Sequence, residues 1–418
     1  MISIFWAPPW EYTTDEQYDY LKEAHIDLIP CIHPSITPHD RSDEWPTDVD
    51  NTTERVSMQR KILDLALARD MKVLVSDPRI YTDVQSVVDD YSEHPALWGY
   101  FLRDEPARKE FSKYGKIYKE FLELDANHTP FVNLLPAGGE RARHGIAWDK
   151  FIKEWITEVG PKKLRNLVFD NYPFCDLDFD DLYIGRGRSH GHIQNYFDDL
   201  EIMRKIGLEY DIPTGLYLQS VGIKNYLRRP DENDIRWNIY TALAYGIKSF
   251  EWFTWWTPSP DEFSDAVIDK NGNKTDLYDI VKWANYQIKS LSRITEELDA
   301  IEVYHFGEIP EGLPALPEDY FVTPLRDVPV LISKFKHKMN GNTYLMIVNK
   351  SNRSLEKRVV DMELKNPIKI DFKFSSEINS LRKYSIEKKA FIDANEQFKD
   401  SVLKDTFLPG EGYLFELL

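Results

Sequence analysis

The stretch "ALWGYFLRDEPARKEF", residues 96–111, decides how the chain is read. An apolar run from Leu97 to Leu102 stops at Arg103, Asp104, Glu105 and Pro106, and helix-forming sequence follows. A short apolar run reads as a buried strand, and the amphipathic run behind it as a helix packed on that strand. The same unit recurs along the chain. Strands are expected at 2–6, 27–32, 72–76, 97–102, 130–135, 166–170, 214–218 and 248–254. Helical patterns fall between them, at 15–25, 54–70, 107–124, 192–209, 233–245 and 276–295. In the run 233–245, Ile235, Ile239, Ala242 and Leu243 share one face and Gly246 supplies a C-cap. Eight strands, each followed by a helix, predict a (β/α)8 barrel over residues 1–300. A doubly wound sheet would carry a Gly-rich phosphate loop after its first strand, where this chain has "WAPPWEY".

After residue 300 the texture changes. "VPVLISKFKH", "NTYLMIVNKS", "KRVVDMEL", "IKIDFKF" and "EGYLFELL" are short, alternating and separated by Asn, Gly, Pro or charged clusters. "MNGNTY" has the composition of a hairpin turn. Residues 301–418 therefore read as a small all-β sandwich domain.

The balance of 70 Asp+Glu against 52 Lys+Arg, a formal charge of −18, argues against nucleic-acid and anionic-membrane partners, which need basic patches. No apolar run approaches the roughly 18 residues of a membrane span. Cys31 lies in an apolar run and reads as a buried thiol; with Cys175 as its only companion, no disulfide framework is expected. Met1 runs straight into "ISIFWAPP", without a signal-peptide pattern. The reading is an extracytoplasmic protein whose leader has been removed, in preference to a cytoplasmic one.

In such a barrel the chemistry lies at the C-terminal strand tips. The expected tips carry Trp6, His33, Asp77, Asp104–Glu105, Asn133, Asp170 with Asn171 and Tyr172, Gln219, and Thr254 with Trp255 and Trp256. Acids, amides and rings converging on one mouth suit a carbohydrate site, with carboxyls for proton transfer and rings for sugar faces. Asp104 and Glu105 also fit a plainer role, as charges favourable to the N-terminus of the next helix. At a strand tip the catalytic role is preferred, with Glu105 as general acid and Asp104 raising its pKa. Asp170 is preferred as the second carboxylate, kept ionised by Asn171 and Tyr172. A long gap across the mouth then favours inversion. Trp6, Asp77, Asn133, Tyr172, Gln219, Trp255 and Trp256 are the expected sugar-binding residues. Glu251, mid-strand in "SFEWFTWW", is expected to face the helices and pair with a cation. His25, His39, His190 and His192 have no metal-ligand spacing, so neither metal nor other cofactor is expected.

On these residues the chain resembles the (β/α)8 glycoside hydrolases with a trailing β-sandwich. "WGYFLRDEP" looks like the fourth-strand acid/base motif of the retaining clan that includes β-galactosidases and cellulases, with Asp104 where that clan has Asn. "NLLP", "FDNYPF", "IRWNIYTALAYGIKSFEWFTWWTP" and "YLMIVNKS" look like a group of bacterial glycosidase-like proteins of the same build. The resemblance implies hydrolysis of an oligo- or polysaccharide. It departs at the seventh strand, where the clan's nucleophilic Glu is replaced by Gln219 in "GLYLQSVG". Either Asp170 supplies the missing carboxylate, or the Asp104–Glu105 pair resembles that of substrate-assisted N-acetylhexosaminidases. A non-catalytic carbohydrate-binding barrel is the remaining alternative.

Overall fold

The computed structural model describes residues 1–31, 52–138, 145–174, 193–259, 261–352 and 366–418. Strands β1 Ile2–Ile4, β2 Leu28–Pro30, β3 Lys72–Val75, β4 Leu97–Asp104, β5 Thr129–Leu134, β6 Leu167–Asp170, β7 Thr214–Gln219 and β8 Ser249–Phe253 close a parallel barrel in chain order. β8 returns to β1 through Ile2↔Phe250, Ser3↔Glu251 and Ile4↔Trp252. Among the described residues one α-helix follows each strand: α1 Asp15–Glu23, α2 Thr52–Leu67, α3 Val84–Tyr91, α4 Phe111–Leu124, α5 Trp148–Val159, α6 Ile193–Tyr210, α7 Glu232–Ala244 and α8 Leu277–Thr295. The strands are near-continuous apolar runs because helices cover one face and the filled lumen covers the other.

β4 runs two residues beyond its expected end, and the reason matters. Its pairing with β5 slips between Phe101 and Arg103, so Phe101 lies opposite Phe131, Arg103 opposite Val132 and Asp104 opposite Asn133. Strict alternation from Tyr100, whose hydroxyl donates outward to Asp125 at 2.7 Å, would turn Asp104 toward the helices. The bulge resets the phase. Arg103 now lies against Glu110 and the Tyr114 ring of α4, and Asp104 enters the lumen beside Asn133.

Beyond the barrel, β9 Leu298–Phe306, β11 Val330–His337, β12 Thr343–Asn349, β14 Leu381–Ser385, β15 Ala390–Asp393 and β18 Gly412–Leu417 form a six-stranded sheet. It faces a four-stranded sheet of β10 Val322–Pro324, β13 Ile368–Phe374, β16 Phe398–Lys399 and β17 Val402–Phe407. All their pairings are antiparallel. The larger sheet has two buried faces. Val330, Ile332, Leu345 and Ile347 pack between the sheets, whereas Leu331, Phe335, Met346 and Val348 join the barrel's core.

α7 is the element that receives them. The sequence gives it one apolar face, yet all of Asp234–Ala244 is buried. The difference is the sheet laid on its second side. Trp237 Nε1 donates to Lys350 O at 3.0 Å and Ser333 Oγ to Ala244 O at 2.6 Å. Gly246, at φ 81°, ends the helix as expected.

Candidate active site

Three carboxyl groups gather at the tips of β4 and β6. Asn133 Nδ2, on β5 between them, donates to Asp104 Oδ1 at 2.9 Å and reaches Asp170 Oδ1 at 3.5 Å. Glu105 leaves β4 in the left-handed region, at φ 47°. Its amide donates to Asn133 O at 2.9 Å. That turn brings its side chain into hydrogen-bond contact with Asp170. Asp104 and Glu105 are half-buried and Asp170 is buried.

A hydrogen bond between two carboxyls requires a proton on one of them. Burial raises the pKa of Asp170 well above the carboxylate range, and the charges of Glu105 and Asp104 push the same way. Asp170 therefore favours its protonated form. This corrects two expectations. Asp170 and Glu105 stand in hydrogen-bond contact instead of across a long gap, because Glu105 turns back across the β5 tip. Asn171 does not hold Asp170 ionised either: its Nδ2 donates to Asp199 at 2.9 Å.

The ring residues divide. Tyr172 is almost fully buried and stacks on Phe253 at 4.7 Å, and Phe253 in turn meets Trp6 at 5.7 Å. Burial first, and then the nearby acidic cluster, keep the Tyr172 phenol well above its ordinary pKa. Trp255 and Trp256 are not open platforms. Trp255 is fully buried and packs edge-on against Tyr278 of α8, and Trp256 lies on Tyr12 at 4.7 Å.

Two expected polar contacts are already committed elsewhere. Asp77 caps the turn Pro78–Tyr81. It accepts from Arg79 N at 3.0 Å, Arg79 Nη2 at 2.8 Å and the Tyr91 hydroxyl at 3.1 Å. Burial works to raise its pKa, but the Arg79 bonds prevail and hold it low. Gln219 is buried beneath the loop that follows β7. Its Nε2 donates to Arg228 O at 2.9 Å and Val221 O at 3.1 Å, and its Oε1 accepts from Phe174 N at 3.1 Å. It ties backbone rather than facing the mouth. His33, Cys175, His39, His190 and His192 lie outside the described residues, and among the described residues no group of three metal-ligating side chains forms.

Tyr217 was not anticipated. Period-two alternation in "TGLYLQ" puts Gly215 and Tyr217 on the lumen face, where the Tyr217 ring meets Phe5 at 5.7 Å. Burial and the carboxyls of Glu251, Asp104 and Asp170 all raise its pKa.

Glu251 shares that lumen, contrary to the expectation that it faces the helices. Trp252 is the outward residue, donating to Asn285 of α8 at 2.8 Å. Neither Glu251 oxygen has a hydrogen-bond partner of good geometry among the described residues. Burial raises its pKa to about 8, with Ser249 opposing. The folded chain keeps a proton that the unfolded chain gives up near pH 4.5, so this residue makes stability fall as pH rises from there to about 8. Glu251→Gln is expected to flatten the stability–pH curve over that window by about 2–4 kcal/mol. Urea melts of both proteins at the two ends of the window check this, and parallel curves would refute it.

No family model matches the chain, and no curated protein matches it in sequence. Its structural neighbours are glycoside hydrolases. A catalytic mutant of a GH42 β-galactosidase from G. stearothermophilus aligns over 100% of this chain and 98% of its own, with TM-score 0.56 and 9% identity. A candidate α-galactosidase from Bacteroides fragilis NCTC 9343 aligns over 100% and 79%, with TM-score 0.51 and 10% identity. The β-galactosidase of the psychrophilic Marinomonas ef1 aligns over 70% of this chain at TM-score 0.48 and 11% identity, and the chain spans 60% of its length. At these identities the likeness is one of fold.

Proposed function

We propose that the chain hydrolyses glycosidic bonds of an oligo- or polysaccharide, with Glu105 as the proton donor. The observation that carries this reading is the carboxyl cluster itself. Asp104, Glu105 and Asp170 gather at the strand tips of a barrel, and buried Asp170, its pKa raised, is in hydrogen-bond contact with the half-buried Glu105. The strained backbone at Glu105, φ 47°, adds support, since such conformations persist where the surroundings impose them.

In this mechanism Glu105 gives its proton to the leaving oxygen as the glycosidic bond breaks. The carboxylate it becomes keeps a hydrogen bond from protonated Asp170, which limits the charge built up in the cluster. Glu105 recovers its proton from the water that completes hydrolysis. Asp104, held by Asn133 Nδ2, is the ionised partner that faces positive charge developing at the anomeric carbon.

A second reading is favoured by the placing of these carboxyls. All three stand on the β4–β6 side, and the amide at the β7 tip is committed to backbone. Attack by a 2-acetamido group of the substrate, oriented by Asp104, needs no carboxylate opposite. The test is release of reducing ends by the intact chain from a broad glycan panel with N-acetylated and non-acetylated members. Hydrolysis of any member supports glycosidase function, and hydrolysis confined to N-acetylated members supports the second reading. Binding without product release would leave a carbohydrate-binding barrel.

A further inference from the structure

The opposite end of the barrel holds a concave site. A cavity of about 550 Å³ opens where the starts of β1 and β4 meet α8 and the β14–β15 hairpin. Lys72, Arg293, Lys389, His25, Trp98 and Tyr286 line it. In a chain of formal charge −18 this gathering of cations runs against the average. The acids nearby do not cancel it. Asp27 is already engaged by Lys289 Nζ at 2.5 Å and by the Ile2 amide at 3.0 Å, which leaves Glu296.

Two cations remain available. Arg293 is exposed and forms no ion pair or hydrogen bond among the described residues. Lys389 is exposed at the hairpin tip, with Nζ 5.5 Å from the Tyr286 ring centre. The hairpin that carries Lys389 is docked on α8, where the Tyr384 hydroxyl donates to Ser290 O at 2.7 Å. His25 reports the local field: burial, then Lys289, Lys282 and Lys389, hold its pKa below the ordinary value against the pull of Asp27.

We infer that this cavity binds a small anionic sugar, a uronate or a sugar phosphate. Arg293 and Lys389 hold the acid group, and Trp98 and Tyr286 take the apolar ring face. A guanidinium and an ammonium can converge on one oxyanion, and paired rings suit a pyranose. The site lies at the strand starts, so it is separate from the proposed catalytic cluster at the strand tips.

Calorimetric titration of the intact protein with glucuronate, a glucose phosphate, inorganic phosphate and glucose tests it. Either acidic sugar is expected to bind at least about tenfold more tightly than glucose, and more weakly as salt rises. An Arg293→Ala/Lys389→Ala double variant is expected to weaken that binding by at least about tenfold, since each exposed cation contributes directly. Glu105→Gln should leave it unchanged. Inorganic phosphate binding as tightly as glucose phosphate would overturn the part given to the rings. Absence of acidic-sugar binding, or binding indifferent to the double variant, would overturn the site.

Discussion

Glu105→Gln is expected to lower kcat by roughly 10²–10⁴-fold on any hydrolysed glycan, with KM little changed. The amide matches the carboxyl in size, and the Glu105 amide N–H still donates to Asn133 O. The side chain can still bond to Asp170, so the cluster keeps its shape. What it loses is the dissociable proton. A glycosidic oxygen is a poor leaving group until protonated, and the loss therefore falls on the bond-breaking step. Aryl glycosides with acidic leaving groups should be hurt least, because they leave without that proton. Near wild-type turnover on an unactivated glycan would refute the assignment.

Much of this was legible in the sequence, for a physical reason. A parallel strand buried on both faces is a short apolar run, and a Gly or Pro beside it marks the turn, so all eight strands could be placed. Gly246 needed nothing beyond its own sequence neighbours. Other features depend on contacts distant in the chain. The phase of β4 is set by its pairing with β5, and "GYFLRDE" carries no mark of the slip at Leu102 that turns Asp104 inward. α7 is buried all round because β11 and β12, about a hundred residues later, cover its second side. Asp77 and Gln219 have the right residue types at strand tips, but Arg79 and three backbone groups satisfy them first. Trp255 stands one residue past Thr254, on the side of the tip that packs against α8. A strand tip identifies the layer in which a side chain sits, and not the direction in which it points.

The proposed mechanism sets an ionised Asp104 against a protonated Asp170, which gives the second large effect. Asp104→Asn is expected to cost roughly 10²–10³ in kcat, because it removes a fixed negative charge facing developing positive charge in a site of low polarity. Asn133 Nδ2 keeps an acceptor in the new amide, so the loss should not come from misfolding. Asp170→Asn replaces a neutral carboxylic acid by a neutral amide that can still donate to Glu105. Its cost is expected to be smaller, about tenfold or less in kcat at neutral pH, the scale of a retained hydrogen bond with altered geometry. Its signature lies in the pH profile. Two carboxyls in contact titrate as a pair, and with Asp170 the more buried of the two it is Glu105 that gives up the first proton. Asp170 is still protonated as Glu105 loses its proton, and its hydroxyl is a stronger donor to the Glu105 carboxylate than an amide is. In Asp170→Asn the alkaline limb of kcat should therefore move to higher pH. If Asp170→Asn were instead nearly inactive, while Asp104→Asn stayed active with an unshifted profile, the ionised partner would be Asp170. The pair would then work with the proton on Glu105 alone, and burial would have to be outweighed by a hydrogen bond that favours the charged form of Asp170.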